Sequence, residues 1–290
     1  MEIYLSQPGV IFCAGRSPRE LLSAAIRGDQ SGIRRMPRAE GGYFLAGRVE
    51  GDLPEPAMDF GTEPPAYTAR TRLIRIADAA LEQIRADAER ALARYGADRV
   101  GLCVGSCDNG SEGSRLAHEA FFSSPGAFPS DYSLRFQSAG YLAEVIARKF
   151  GIAGPAITLS TACASSASAI VKAAELIQAG LCDAAIAGGA DVASATVLLG
   201  FNALEAASDA VTNPFSKNRK GITLGEGAAF FVLSKEEGGR GTGKIALLGA
   251  GESADACHLT APSSDGSGAI RAMRRALAQA ELQPDAVDYL

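Results

Sequence analysis

The sequence predicts an α/β fold, in which a mostly parallel sheet is layered with helices. Three observations carry this. Runs of β-branched and small residues recur at 99–105, 156–160 and 183–189, with helix-period segments between them. Such alternation is what a parallel sheet with crossover helices requires. After a polar, Gly-rich run at 234–243, the strand-then-helix pattern starts again. The composition suits this reading: 290 residues, 47% hydrophobic and 21% charged, can build one large or two small cores.

Taken in order, residues 2–14 read as a strand and loop. Residues 17–26 read as a short helix, with Ser17 as N-cap, Pro18 at the first helical position and Glu20 in the first turn. Residues 34–66 are rich in Gly and Pro and read as an irregular excursion. Residues 68–95 carry Ala, Leu and Ile at helical spacing and read as one long helix. In the strand at 99–105, Val100, Leu102 and Val104 alternate with smaller residues. A polar turn follows at 105–110, then a mixed segment at 111–135 with a Pro-rich kink. Residues 139–150 read as a helix, 156–160 as a strand and 165–179 as a helix closed by Gly180. Strands follow at 183–189, 222–234 and 244–248, and a last helix at 267–282.

The net charge of -5 argues against a nucleic-acid protein. No apolar run approaches the roughly 18 residues of a membrane span, and the first residues do not make a signal peptide. The cytoplasm is the expected location. The six cysteines, Cys13, Cys103, Cys107, Cys163, Cys182 and Cys257, are mostly far apart, as reduced thiols are. Cys103 and Cys107 lack partner ligands at zinc spacing, so no metal is expected, and no cofactor. Residues 248–254 match a G-x-G-x-x-A dinucleotide fingerprint. The following segment holds Pro262, Ser263, Ser264, Asp265 and Gly266 and reads as loop, so the helix that fingerprint needs is missing.

The candidate for chemistry is Cys163, in Thr161-Ala162-Cys163-Ala164-Ser165-Ser166. It falls on a tight turn from strand to helix, where unpaired N–H groups and the helix dipole favour a thiolate. Small neighbours let a carbonyl carbon approach the sulfur. Its own N–H is a candidate oxyanion donor. On local pattern alone a second reading stands beside this one: a small buried residue, as most free cysteines are.

That motif resembles the nucleophile motif of the β-ketoacyl-acyl-carrier-protein synthases, condensing enzymes of the thiolase superfamily. Residues 213–233, with Asn213-Pro214-Phe215 and Gly225-Glu226-Gly227-Ala228, resemble a second family segment. Asp255-Ala256-Cys257-His258-Leu259-Thr260 resembles a third. The resemblance implies a layered αβαβα thiolase-like fold of two similar halves. Residues 1–235 would form the first half, 236–243 a linker and 244–290 the start of the second. It implies acyl transfer from a carrier-protein thioester to Cys163, then decarboxylative Claisen condensation with a malonyl thioester, in fatty-acid or polyketide-type synthesis. Phe201 and Asp108 would line the acyl channel, and Asp255, His258 and Thr260 would belong to a gate loop near it. Asp108 stands where the family is often apolar, which puts straight-chain specificity in doubt. Arg70, Arg72 and Arg75 are read either as a solvated helix face or as a docking patch for an acidic acyl carrier protein. A homodimer is expected, through an edge near residues 155–160 with residues 131–137 reaching the partner's channel.

In the family, Asn-x-His-Gly-Thr, a Lys…Gly-His motif and a Gly-Phe-Gly gate follow the equivalent of residues 287–290. None has a match here, so the expectation is a chain that stops before them, acylated at Cys163 but unable to condense alone. Two other classes stay open: a Cys163–His258 acyl hydrolase or thiolase, and a non-catalytic, channel-shaping partner of a condensing enzyme.

Overall fold

A computed structural model describes residues 2–38, 41–56, 71–108, 110–124, 126–130, 132–236, 245–258 and 261–289. The stretch at 2–14 is two strands, β1 (Ile3–Leu5) and β2 (Gly9–Phe12). Helix α1 (Pro18–Arg27) begins as expected: the Ser17 hydroxyl accepts the Glu20 N–H at 3.3 Å, and Gly28 closes it with φ +61°.

Part of the supposed irregular excursion is a hairpin of β3 (Ile33–Pro37) and β4 (Tyr43–Gly47), antiparallel with Arg35 opposite Leu45. Gly41 and Gly42, at φ +92° and +80°, are residues of its turn, so the glycines mark a hairpin and not the absence of structure.

The long helix expected at 68–95 is broken. Helix α2 (Arg72–Leu81) and helix α3 (Arg85–Tyr95) are joined by a 3₁₀ turn at Glu82–Ile84. Tertiary contacts override the helical pattern there. Gln83 Oε1 accepts the Val10 N–H at 3.1 Å, and its Nε2 donates to the Val10 carbonyl at 2.9 Å.

Then come β5 (Val100–Gly105), α4 (Ser111–Ser123), α5 (Tyr141–Phe150), β6 (Ala156–Leu159), α6 (Ser165–Gln178) and β7 (Ala184–Asp191). Helix α7 (Ala195–Ala203) has no counterpart in the sequence reading; Ser194 caps it by accepting the Val197 N–H at 3.3 Å. The strand expected at 222–234 is split into β8 (Leu224–Gly225) and β9 (Gly227–Ser234). β10 (Ile245–Leu247) and α8 (Ser267–Ala280) complete the chain.

The main sheet runs β10-β1-β9-β7-β5-β6, with β2 also on β9. Only β6–β5 and β5–β7 are parallel; β7–β9, β9–β1, β9–β2 and β1–β10 are antiparallel. The expectation of a mostly parallel sheet is therefore corrected to a mixed one. After β7 the chain passes through α7 and through β8 of the small sheet β3-β4-β8, and it re-enters the main sheet with β9 running against β7.

Alternation along β7 sorts its side chains into two cores. Ala184 and Ile186 face α2, α3 and α5 with Ile74, Leu81, Ile146 and Phe230. Ala185 and Ala187 face α6 with Ala169, Ala173, Ile177 and Leu233. The described part is thus three layers, helix on sheet on helix. Among its described helices none is long and apolar enough to cross a membrane.

Candidate active site

β6 ends at Leu159 and α6 begins at Ser165, so one short 3₁₀ turn, Ala162–Ala164, must reverse the chain. Ala162 takes φ +53°, the left-handed region that residues with a Cβ rarely occupy. Its surroundings hold it there. The buried Ser165 hydroxyl donates to the Ala162 carbonyl at 2.6 Å and accepts the Thr161 N–H at 2.9 Å. The Cys107 thiol donates to the same carbonyl at 2.9 Å and lies 3.3 Å from Ser165 Oγ.

Gly105 and Gly189, in β5 and β7, let this end of α6 sit on the sheet. A Cβ at Gly105 would collide with the Ser165 backbone, and one at Gly189 with Ser166 Oγ. Cys163 stands exposed on this elbow. The reading of Cys163 as a buried small residue is excluded; that description fits Cys103 and Cys182, both buried, and burial pushes the Cys103 thiol up to about 12.

Beneath the elbow, one carboxylate oxygen gathers the turn after β5. Asp191 Oδ1 accepts the Cys107 N–H at 2.7 Å, the Asp108 N–H at 3.0 Å and the Ser106 hydroxyl at 3.2 Å. Burial pushes its carboxyl above the ordinary range, against the pull of those three donors. Asp108 is 5% exposed, and its Oδ1 accepts the Ser111 hydroxyl at 2.6 Å. Burial raises this carboxyl too, and the nearby Asp191 and Glu112 add to the shift. Asp108 lines a cavity with Ile74, Phe136, Tyr141 and Leu142. Thus the Cys163 elbow and the cavity share one turn, Cys107 on one side and Asp108 on the other.

The remaining expected residues are more scattered. Phe201 lies half-buried on α7, its carbonyl accepting the Ala206 and Ala207 N–H groups. Asp255 organises its own loop: Oδ2 accepts the Ser263 N–H at 2.8 Å, and Arg271 stands 3.8 Å away. His258 is exposed, with Nδ1 accepting the Ala261 N–H at 3.0 Å. Among the described contacts none joins Asp255 or His258 to Cys163. Thr260 and Arg70 lie outside the described residues.

Arg72 and Arg75 do not form a bare cationic patch. Arg72 turns inward, Nε 2.9 Å from Glu226 Oε1, and also donates to the Val49 carbonyl at 2.6 Å. Arg75 is ion-paired with Glu55.

Four contributors escaped the sequence reading. Cys107, Ser165 and Asp191 shape the elbow. Glu252 accepts the Ser168 hydroxyl, to which Thr161 Oγ1 donates at 3.4 Å. Asp191 left a signal: an acid that closes a run of small and apolar strand residues.

Residues 8–238 match the family model described as Beta-ketoacyl synthase, N-terminal domain, and residues 245–290 match the C-terminal domain of the same family. The chain belongs to the β-ketoacyl synthase family. The 3-oxoacyl-[acyl-carrier-protein] synthase 2 of Vibrio cholerae is 34% identical over 204 residues, 67% of this chain and 49% of that protein. The Staphylococcus aureus protein of the same name is 30% identical over 221 residues, 73% and 55% of the two chains. The chain thus spans about half the length of the curated synthases it matches.

Its thiolase-like fold is shared with solved ketosynthases. The ketosynthase ApeO in complex with its chain length factor ApeC, from Xenorhabdus doucetiae, superposes with TM-score 0.84 at 34% identity, covering 99% of this chain and 70% of that one. The ishigamide ketosynthase/chain length factor gives 0.85 at 28%, covering 99% and 72%.

Proposed function

We propose that this chain carries the acyl-transfer site of a β-ketoacyl-acyl-carrier-protein synthase, with Cys163 as the nucleophile. The observation that carries the reading is the exposed Cys163 on a strained elbow at the N-terminus of α6. The sulfur attacks the carbonyl carbon of an acyl thioester on a carrier protein. The carbonyl oxygen gains charge, and donors placed beforehand at the elbow stabilise it; one such donor is commonly worth about a hundredfold or more in rate. The intermediate collapses by breaking the C–S bond to the carrier's thiol, which leaves with the proton, and the acyl group stays on Cys163. In the synthase reaction as a whole a malonyl thioester then loses carbon dioxide, and its carbanion attacks the acyl carbon and releases Cys163; to that step this chain contributes the acylated thiol. The cavity beside Asp108 receives the acyl chain.

The surroundings of this reaction belong to the same proposal. The carrier is an acyl carrier protein. A second copy of the chain pairs along β6, whose outer edge bears no strand among the described residues; Asp131, expected to reach across, lies outside them. Residues 1–235 act as the first half of the fold and 244–290 as the start of the second. Six free thiols suit the cytoplasm.

The test is acylation. Incubated with an acyl carrier protein thioester, the chain gains one acyl mass, mapped to Cys163, and Cys163→Ala gains none. Labelling at Cys107 or Cys257 with Cys163 untouched would refute the assignment.

A further inference from the structure

The cavity beside the elbow is unusual in its wall. Ile74, Phe136 and Leu142 make it suited to hydrocarbon, yet Asp108 is part of the same lining. Leaving a carboxyl against hydrocarbon with a hydrogen-bonding site unmatched is unfavourable. Ser111 donates to it, and Ser111 Oγ is itself 3.0 Å from Ser194 Oγ, so a fixed chain of hydroxyls stands behind Asp108. The backbone is fixed as well. Asp191 holds the Asp108 N–H, and a Cβ at Gly110, φ +68°, would collide with the Phe136 carbonyl. A buried, immobilised carboxyl on a wall that carries Glu112, Ser114 and Tyr132 as well as Ile74, Phe136 and Leu142 is suited to recognising a polar group on the ligand, not to packing.

We infer that Asp108 recognises a hydroxyl group carried on the acyl chain, so that the site takes hydroxylated acyl thioesters in preference to plain alkyl ones. This rests on the proposal that Cys163 is acylated from a thioester whose chain enters this cavity. The wall is one residue from the elbow: Cys107 bonds the Ala162 carbonyl, and Asp108 follows it. A hydroxyl suits the site better than an ammonium because it brings no charge into the cavity. It can also donate or accept, so it matches the carboxyl in either protonation state. Burial favours the protonated state, which is the one that costs least against hydrocarbon. Sites built to bond a ligand hydroxyl discriminate strongly against the analogue lacking it, because the site's own polar group is then left unpaired.

Binding and chemistry are measured separately. Pantetheine amides of ω-hydroxyacyl and unsubstituted acyl chains, matched over a length series, are bound to the wild-type protein, Asp108→Asn and Asp108→Leu. At the best length the wild type binds the hydroxylated ligand about tenfold tighter. Asp108→Asn keeps the preference, and Asp108→Leu reverses it. Equal binding of the two series, binding of neither, or a preference unchanged in Asp108→Leu overturns the inference. Acylation of Cys163 by the corresponding carrier thioesters is followed in parallel by mass spectrometry. Failure of every thioester to acylate Cys163 defeats the proposed function, while the binding comparison still reads the cavity.

Discussion

Two carboxyl sites support this molecule, and they use their acids in opposite ways. Glu226 sits at the break between β8 and β9, where the chain passes from the small sheet to the large one. Its side chain is fully buried. It meets Arg72 at 2.5 Å and Arg48 at 3.2 Å, and accepts the Val49 N–H at 2.8 Å. Asp191 sits at the end of β7 beneath the elbow, and its three partners are neutral donors. Glu226 works as a charge that ties two sheets to α2. Asp191 works as an acceptor that shapes a turn. A paired charge suits a structural joint, whereas an acceptor met only by neutral donors suits a turn.

The comparison is tested most severely by removing charge while keeping shape. Glu226→Gln leaves two guanidinium groups without their anion, and Glu226→Ala also removes the acceptor for Val49. Breaking one side of a buried ion pair costs about 3–5 kcal/mol, so both variants should lower the urea midpoint strongly. Asp191→Asn retains an oxygen for its donors and should cost less than about 1 kcal/mol. Asp191→Ala leaves two backbone N–H groups without their partner and should cost about 1–3 kcal/mol, with slower acylation of Cys163. If Glu226→Gln and Asp191→Asn were equally harmful in urea melts, the distinction would fail.

A pH series sharpens the same contrast. Burial raises the Asp191 carboxyl in the folded state. The folded protein therefore binds that proton more tightly than the unfolded chain does. Its contribution to stability is fully present below the ordinary carboxylate value of 3.8 and is lost as pH rises through the raised value. Asp191→Asn has no such loss, so its stability relative to wild type should improve from acid towards neutral pH and then level off. Glu82 behaves in the opposite sense. Bonded by Arg85 and also by Lys149, it is held down to about 2, so its contribution is present above 4.5 and lost as pH falls to about 2. Glu82 is common to both proteins and cancels in the difference. A difference that falls with rising pH in paired urea melts would contradict the assigned shift.

What the sequence revealed and what it hid divide along the same line. The elbow at Cys163, the α6 helix and strands β5 and β7 were legible because short-range periodicity and small residues specify them. The N-cap at Ser17 was legible for the same reason. The Glu226 joint was not. The apolar pattern reads straight through it, and Arg72 lies 154 residues away in the chain. Nor was the meeting of Cys107 with Asp191, 84 residues apart. The break at residues 82–84 depends on Gln83 reaching β2, and strand direction depends on the route the chain takes between strands. Each of these is a long-range decision that local pattern does not contain. Asp108 was visible as an acid in a polar turn, and the family resemblance implied a place on the acyl channel; its burial was not visible.

The smallest expected effect concerns Arg75, which the sequence grouped with Arg72 as one basic patch. The structure separates them by partner: Arg72 serves the buried Glu226, while Arg75 pairs with Glu55, whose side chain is 65% exposed. Exposed pairs contribute about 0–1 kcal/mol, so Arg75→Gln should leave the urea midpoint nearly unchanged. For an acidic carrier protein, a cation already matched by a carboxylate presents little net field, and steering depends on net field. Arg75→Gln should therefore weaken carrier binding by less than about threefold at low salt. Glu55→Gln, which bares the cation, should strengthen binding by a similar factor, and both effects should fade as salt shortens the screening length. Calorimetric titration of the carrier protein at low and high salt reads all of this. A tenfold loss with Arg75→Gln at low salt would return Arg75 to the docking surface, and would mean that Glu55 gives it up when the carrier arrives.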